Sequence, residues 1–116
     1  MDDDPDVCWI IAHILNRAGF VCEAANTVQE AFALIHRQPF RMAFLDAKLG
    51  VHEGLDLAWG LRELDPSLPI ILISGYFYRE DAIIQGAKKS GLISAFISKP
   101  FEHQEILRVV ELHGTR

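Results

Sequence analysis

The sequence predicts a single α/β domain built on a parallel sheet. Short, continuous apolar runs of the kind buried on both faces of such a sheet alternate with segments of helical period along the chain. Polar residues able to do chemistry, Asp46, Ser74 and Lys99, stand at or just past the C-terminal ends of those runs. At 116 residues the chain has room for one hydrophobic core, so residues 1–116 are read as one domain.

Taken in order, Asp4-Pro5 reads as an N-cap followed by a first helical residue. Val7, Ile10, Ile11, Ile14, Leu15 and Ala18 then recur at helical spacing until Gly19. Phe20 to Ala24 is a short strand candidate. Thr27 and Glu30 form a capping-box pattern opening a second helix with apolar positions Val28, Ala31, Phe32 and Ile35, and Pro39 stops it. Met42 to Leu45 is a compact apolar run and reads as a buried strand. Leu55 to Leu64 is helical, Pro69 to Ile73 the next buried strand, Arg79 to Ser90 a helix, Ala95 to Ile97 a strand, and Glu102 to Leu112 the last helix.

Composition narrows the function classes. Half of the residues are hydrophobic, which fits a globular chain, yet no apolar run approaches the roughly twenty residues of a membrane span. The acidic N-terminus lacks the cationic region of a signal peptide. A net charge of −5 without a basic tract argues against direct nucleic-acid binding. Cys8 and Cys22 lack CxxC spacing and read as buried thiols in a reducing, cytoplasmic setting. The five histidines show no metal-ligand spacing.

In an open parallel sheet, the C-terminal strand ends converge on one crevice. Carboxylates gathered there repel unless a hard cation is shared among them, and Mg²⁺ suits one or two carboxylates with waters and phosphate oxygens. A lysine and a hydroxyl facing the same cation supply the charge and hydrogen bond that a transferred phosphoryl group needs. Asp46 is then the nucleophile that forms an aspartyl phosphate. A hydrolase of the haloacid dehalogenase type would need a second aspartate two residues on, where Lys48 stands.

These residues resemble the receiver domain of two-component response regulators. The matching pieces are Asp2-Asp3-Asp4-Pro5-Asp6-Val7, Phe44-Leu45-Asp46, Gly54, Ile71-Leu72-Ile73-Ser74-Gly75 and Ser98-Lys99-Pro100-Phe101. The resemblance implies a flavodoxin-like, CheY-like doubly wound sheet of order 2-1-3-4-5. It also implies phosphorylation of Asp46, with Lys99 and Ser74 in catalytic roles and Mg²⁺ held by Asp2, Asp3, Asp46 and the backbone carbonyl of Lys48. Ser74 and Phe96 become the switch pair, and the Lys99–Pro100 bond is expected cis. The donor is a sensor histidine kinase or phosphotransfer protein, and the output a protein target. Lys48 and Tyr76 flank the phosphoryl position, which implies slow hydrolysis.

The chain departs from that family in one large respect. The family's first strand precedes the acidic residues, whereas here Met1 stands directly ahead of Asp2, so the chain is short at its N-terminus relative to the family. The absent strand is central in the 2-1-3-4-5 order. Its loss removes several buried side chains at roughly 1.5–3 kcal/mol each. The total, about 8–12 kcal/mol, is comparable to the net stability of a whole domain. Three compensations are expected alternatives: a start upstream, a segment donated or exchanged by a partner chain, as in a homodimer or strand-exchanged oligomer, or direct pairing of Phe20 to Ala24 with Met42 to Leu45. A second function follows from the same gap: a degenerate receiver that acts as an interaction module without phosphorylation.

Overall fold

The computed structural model describes residues 5–46, 51–74 and 82–113. Over these the chain runs α1 (Pro5–Arg17), α2 (Val28–Arg37), β1 (Ala43–Asp46), α3 (Val51–Leu64), β2 (Ile70–Ser74), α4 (Ala82–Lys89), β3 (Ala95–Ser98) and α5 (His103–His113). The helix ends follow from local chemistry. After α1, Gly19 takes φ +94°, its N–H donates to Asn16 O at 3.1 Å, and the N–H of Phe20 donates to Leu15 O at 2.9 Å. The same pattern closes α4: Gly91 takes φ +78°, and the N–H groups of Gly91 and Leu92 donate to Lys88 O and Ala87 O at 3.2 and 3.0 Å. Both are Schellman-type ends, which satisfy the last carbonyls and need a left-handed residue.

The capping box expected at α2 is present, closed one residue early. Thr27 Oγ1 accepts from the N–H of Glu30 at 3.1 Å, while Glu30 Oε2 accepts from the N–H of Asn26, not Thr27, at 2.8 Å.

The described strands form a parallel sheet in the order β1-β2-β3. Ala43 pairs with Ile70 and Asp46 with Ile73; Ile71 pairs with Ala95 and Ser74 with Ser98. β2 is central, and each of its residues is at most 1% exposed. Ile70 and Leu72 join a core with Leu61 of α3, Ile84 of α4 and Phe96 of β3. Ile71 and Ile73 face the other way, into a core with Ile11 and Leu15 of α1 and Ile106 and Val110 of α5. This two-sided burial explains why β2 is apolar throughout instead of alternating.

Several expectations are corrected in detail. Residues 20–24 form no strand, and β1 pairs with β2 alone among the described residues. The direct closure of this segment onto β1 therefore does not occur. A strand exists only through its ladder, and among the described residues no strand pairs with this segment. Val21 is 92% exposed as a result. A cavity of about 180 Å³ separates this segment from β1. The third helix begins at Val51, four residues before the expected Leu55. β1 and β2 each begin and end one residue later than expected, and β3 extends one residue further. The helix expected from Arg79 is described from Ala82 onward, because residues 79–81 lie outside the described residues.

Arg62 of α3 ties two connections to the helix. Its Nη1 donates to Pro66 O at 2.9 Å and also to Leu68 O, and its Nη2 donates to Leu92 O at 2.8 Å. One guanidinium thus fixes the turn into β2 and the loop into β3. Arg62→Met keeps much of the aliphatic stem but leaves partly buried carbonyls without this donor, so it should cost about 2–4 kcal/mol. Urea unfolding monitored by circular dichroism measures the loss.

Candidate functional site

The sheet register decides which residues meet. All three described strands run the same way and finish together, with Asp46 the last residue of β1, Ser74 the last of β2 and Ser98 the last of β3. Asp46 pairs with Ile73, so it stands one position before Ser74 on the neighbouring strand. Parallel neighbours lie about 4.8 Å apart, which puts the backbones of Asp46 and Ser74 side by side at the sheet's C-terminal edge. Ser74 pairs with Ser98, and the N–H of Lys99 donates to Ser74 O at 2.9 Å. That bond carries the ladder one step past β3 and fixes the Lys99 backbone beside Ser74.

The Lys99–Pro100 peptide is cis, as expected. Ser74 is fully buried, the one buried polar side chain among the described residues. Phe96 pairs with Leu72 and is 4% exposed, in the core with α3 and α4 and on the opposite face from Ile97. α1 approaches the same edge: Val7 and Ile10 share a shallow hollow with Lys99, Pro100, Phe101 and His103. The acidic run directly precedes this helix in sequence.

Of the expected site residues, the structure therefore brings together the backbones of Asp46, Ser74 and Lys99, with Phe96 two strand positions behind Ser98. Asp2, Asp3, Lys48 and Tyr76 lie outside the described residues. No group of three or more His, Cys, Asp or Glu side chains suited to a metal is found among the described residues. The donor types expected at the site, carboxylates and a backbone carbonyl, fit a hard divalent cation.

The scaffold and the order of these residues correspond to one family. The response regulator receiver domain family matches residues 1–111. The chain belongs to it. It is 31% identical to the response regulator PilR of Pseudomonas aeruginosa over 102 residues, covering 88% of this chain and 22% of PilR. It is equally 31% identical to the photosynthetic apparatus regulatory protein RegA of Cereibacter sphaeroides over 114 residues, covering 98% of this chain and 60% of RegA. The receiver thus spans about a fifth of the first relative and three fifths of the second.

Solved receivers share the fold. The NtrX receiver domain of Brucella abortus superposes with a TM-score of 0.83 at 32% identity, covering 97% of this chain and 92% of that domain. A CheY-like receiver of Methanospirillum hungatei gives 0.84 at 26% identity, covering 97% and 88%. This receiver has five described helices and a parallel sheet with three described strands. None of its described helices is long and apolar enough to cross a membrane.

Two features escaped the sequence reading. Arg62 gave no signal, because its three acceptors are backbone carbonyls and carry no residue identity. The cavity beside β1 escaped because its shape depends on where residues 20–25 settle.

Proposed function

We propose that this receiver accepts a phosphoryl group on Asp46 from the phosphohistidine of a sensor histidine kinase or phosphotransfer protein, and that the added charge switches a protein-binding surface. The supporting observation is the aligned strand edge, where the Lys99 N–H to Ser74 O bond holds the catalytic lysine and hydroxyl positions next to the strand that ends in Asp46. An Asp46 carboxylate oxygen attacks phosphorus, the P–N bond breaks, and the histidine leaves with a proton. Asp2, Asp3, Asp46 and the Lys48 carbonyl would hold Mg²⁺, which neutralises charge on the transferring group when bound.

Lys99 offers its ammonium to the phosphoryl oxygens and Ser74 donates its hydroxyl. Ser74 is buried on the strand next to Phe96, so a shift of that hydroxyl changes the packing around the ring. The output is a shift in population between two surfaces of a cytoplasmic signalling domain, read by a downstream protein. The domain is no enzyme for a separate substrate; its chemistry ends with its own phosphorylation and dephosphorylation.

A second reading, a receiver that works as an interaction module without phosphorylation, draws support from the cavity where residues 20–25 stand away from β1. Titration with Mg²⁺ and then beryllofluoride, followed by the fluorescence of Trp9 and Trp59, separates the two. The phosphoacceptor reading expects a saturable response that Asp46→Asn removes. A folded protein with no response, and no phosphoprotein by mass after acetyl phosphate, establishes the interaction module instead.

A further inference from the structure

A shallow hollow opens directly against the lysine of the candidate site. Its apolar lining is Val7 and Ile10 of α1 with Pro100 and Phe101, and its polar lining is Lys99 and His103. Ile10 is 39% exposed, so this apolar ground faces solvent. The place of the hollow follows from the sheet. Lys99 comes directly after β3 and Asp46 closes β1, two strand spacings of about 4.8 Å away, so the hollow lies across the strand edge from Asp46. In-line displacement puts the leaving group on the far side of phosphorus from the attacking oxygen. A phosphoryl group held between Asp46 and Lys99 therefore presents its leaving group to the hollow.

We propose that Val7, Ile10 and Phe101 are specificity-determining residues that bind the apolar part of a low-molecular-weight acyl phosphate donor. The inference rests on the phosphoacceptor reading of Asp46 and adds to it a class of small donor. An Asp46 carboxylate oxygen attacks phosphorus, the bond from phosphorus to the acyl oxygen breaks, and the carboxylate leaves with that electron pair, with no proton required. A short-chain carboxylate divides as the lining does, with an anionic head for Lys99 and a hydrocarbon tail for Val7, Ile10 and Phe101. The imidazole of a phosphohistidine has no such tail, and the side chains around it stand several bonds further from phosphorus. The hollow therefore fits the small donor better than a protein donor.

Acetyl and butyryl phosphate test this, since acetate and butyrate are leaving groups of nearly equal basicity that differ only in chain length. The rate of phosphoprotein formation with each, followed by mass below saturation, is divided by the rate with phosphoramidate, whose leaving group has no carbon. Burial of a methylene is worth about fourfold, so in a shallow hollow the butyryl donor should react roughly three- to tenfold faster than the acetyl donor. Ile10→Ser should bring that ratio to about one, and Ile10→Trp, which fills the hollow, to below about one. Val28→Ser, at a similarly exposed apolar position on α2, should keep the wild-type ratio. A wild-type ratio of about one overturns the assignment, and so does a raised ratio that survives in both Ile10 variants. Equal rates with the two acyl donors, combined with slower transfer from a phosphorylated histidine kinase to Ile10→Ser, give the hollow to a protein donor and also overturn it. Labelling of Asp46 by no donor, phosphoramidate included, defeats the phosphoacceptor reading and the role of the hollow with it. Equal labelling by the two acyl phosphates leaves that reading standing and removes the hollow's role alone.

Discussion

Asp46→Asn should abolish phosphoryl transfer to this receiver, lowering the rate of phosphoprotein formation from acetyl phosphate or a phosphorylated histidine kinase on the order of 10³-fold or more. The amide preserves shape and fold but has no carboxylate oxygen with which to attack phosphorus. Because Asp46 closes β1 and pairs with Ile73, the substitution leaves the ladder intact, and the circular dichroism spectrum should match the wild type. Lys99→Ala provides the contrast. It keeps the nucleophile and the backbone bond to Ser74 while removing the ammonium, so phosphorylation should persist at a reduced rate and the fluorescence response to it should shrink. Full phosphorylation of Asp46→Asn, mapped by peptide mass to another residue, refutes Asp46 as the acceptor.

The largest stability effect should come from Leu72→Ala. Leu72 is fully buried in the central strand and packs with the helices on the α3 and α4 side. Truncation there removes transfer free energy and leaves a cavity that strands paired on both sides cannot close, at a cost of about 3–5 kcal/mol. That is a large share of a small domain's stability. Val21→Ala, at a position 92% exposed, should lie within about 0.5 kcal/mol of wild type. Paired urea titrations give both values, and a loss at Leu72 no larger than that at Val21 would show that β2 is not the centre of the core.

These predictions rest on features that were unevenly legible in the sequence. The helices with strong punctuation were readable because their ends are local chemistry: Pro5 opens α1, Thr27 and Glu30 frame α2, and Gly19 terminates α1 with bonds that need only nearby residues. β2 was readable because its two-sided burial demands an unbroken apolar run. Residues 20–24 misled because their composition suits a strand, while strand formation depends on a paired neighbour, which composition does not reveal. The start of α3 at Val51 was obscured by His52, Glu53 and Gly54, which carry little helical pattern.

For the candidate site, the strand-end placement of Asp46, Ser74 and Lys99 was legible, since each ends or follows an apolar run. The bond joining the Ser74 and Lys99 backbones was not, because it depends on the register between β2 and β3.

The thiol of Cys22, in the segment beside β1, adds a chemical consequence of burial. Burial is the largest cause pushing its pKa up, and the carboxylate of Glu23 acts in the same direction, which extends the pH range over which the thiol stays neutral. The unfolded chain ionises this thiol at lower pH than the folded one. Its contribution to stability is therefore present below the ordinary thiol range and is lost as pH rises through the folded value.

The glycines that close α1 and α4 set a limit of chirality. At both Gly19 and Gly91 a built Cβ meets nothing within 4 Å, so crowding does not exclude a side chain there; handedness does. An L-alanine at either position is strained by about 1–2 kcal/mol. A D-alanine finds the same backbone angles native to its mirror geometry and narrows the unfolded ensemble, for a gain of about 0.4–1 kcal/mol per site. A receiver assembled by chemical ligation with D-alanine at both positions should therefore melt above the natural protein, whereas its L-alanine twin should melt below it. These two substitutions would have the same composition and connectivity, and only the sense of one stereocentre at each helix end would separate a stabilised fold from a weakened one.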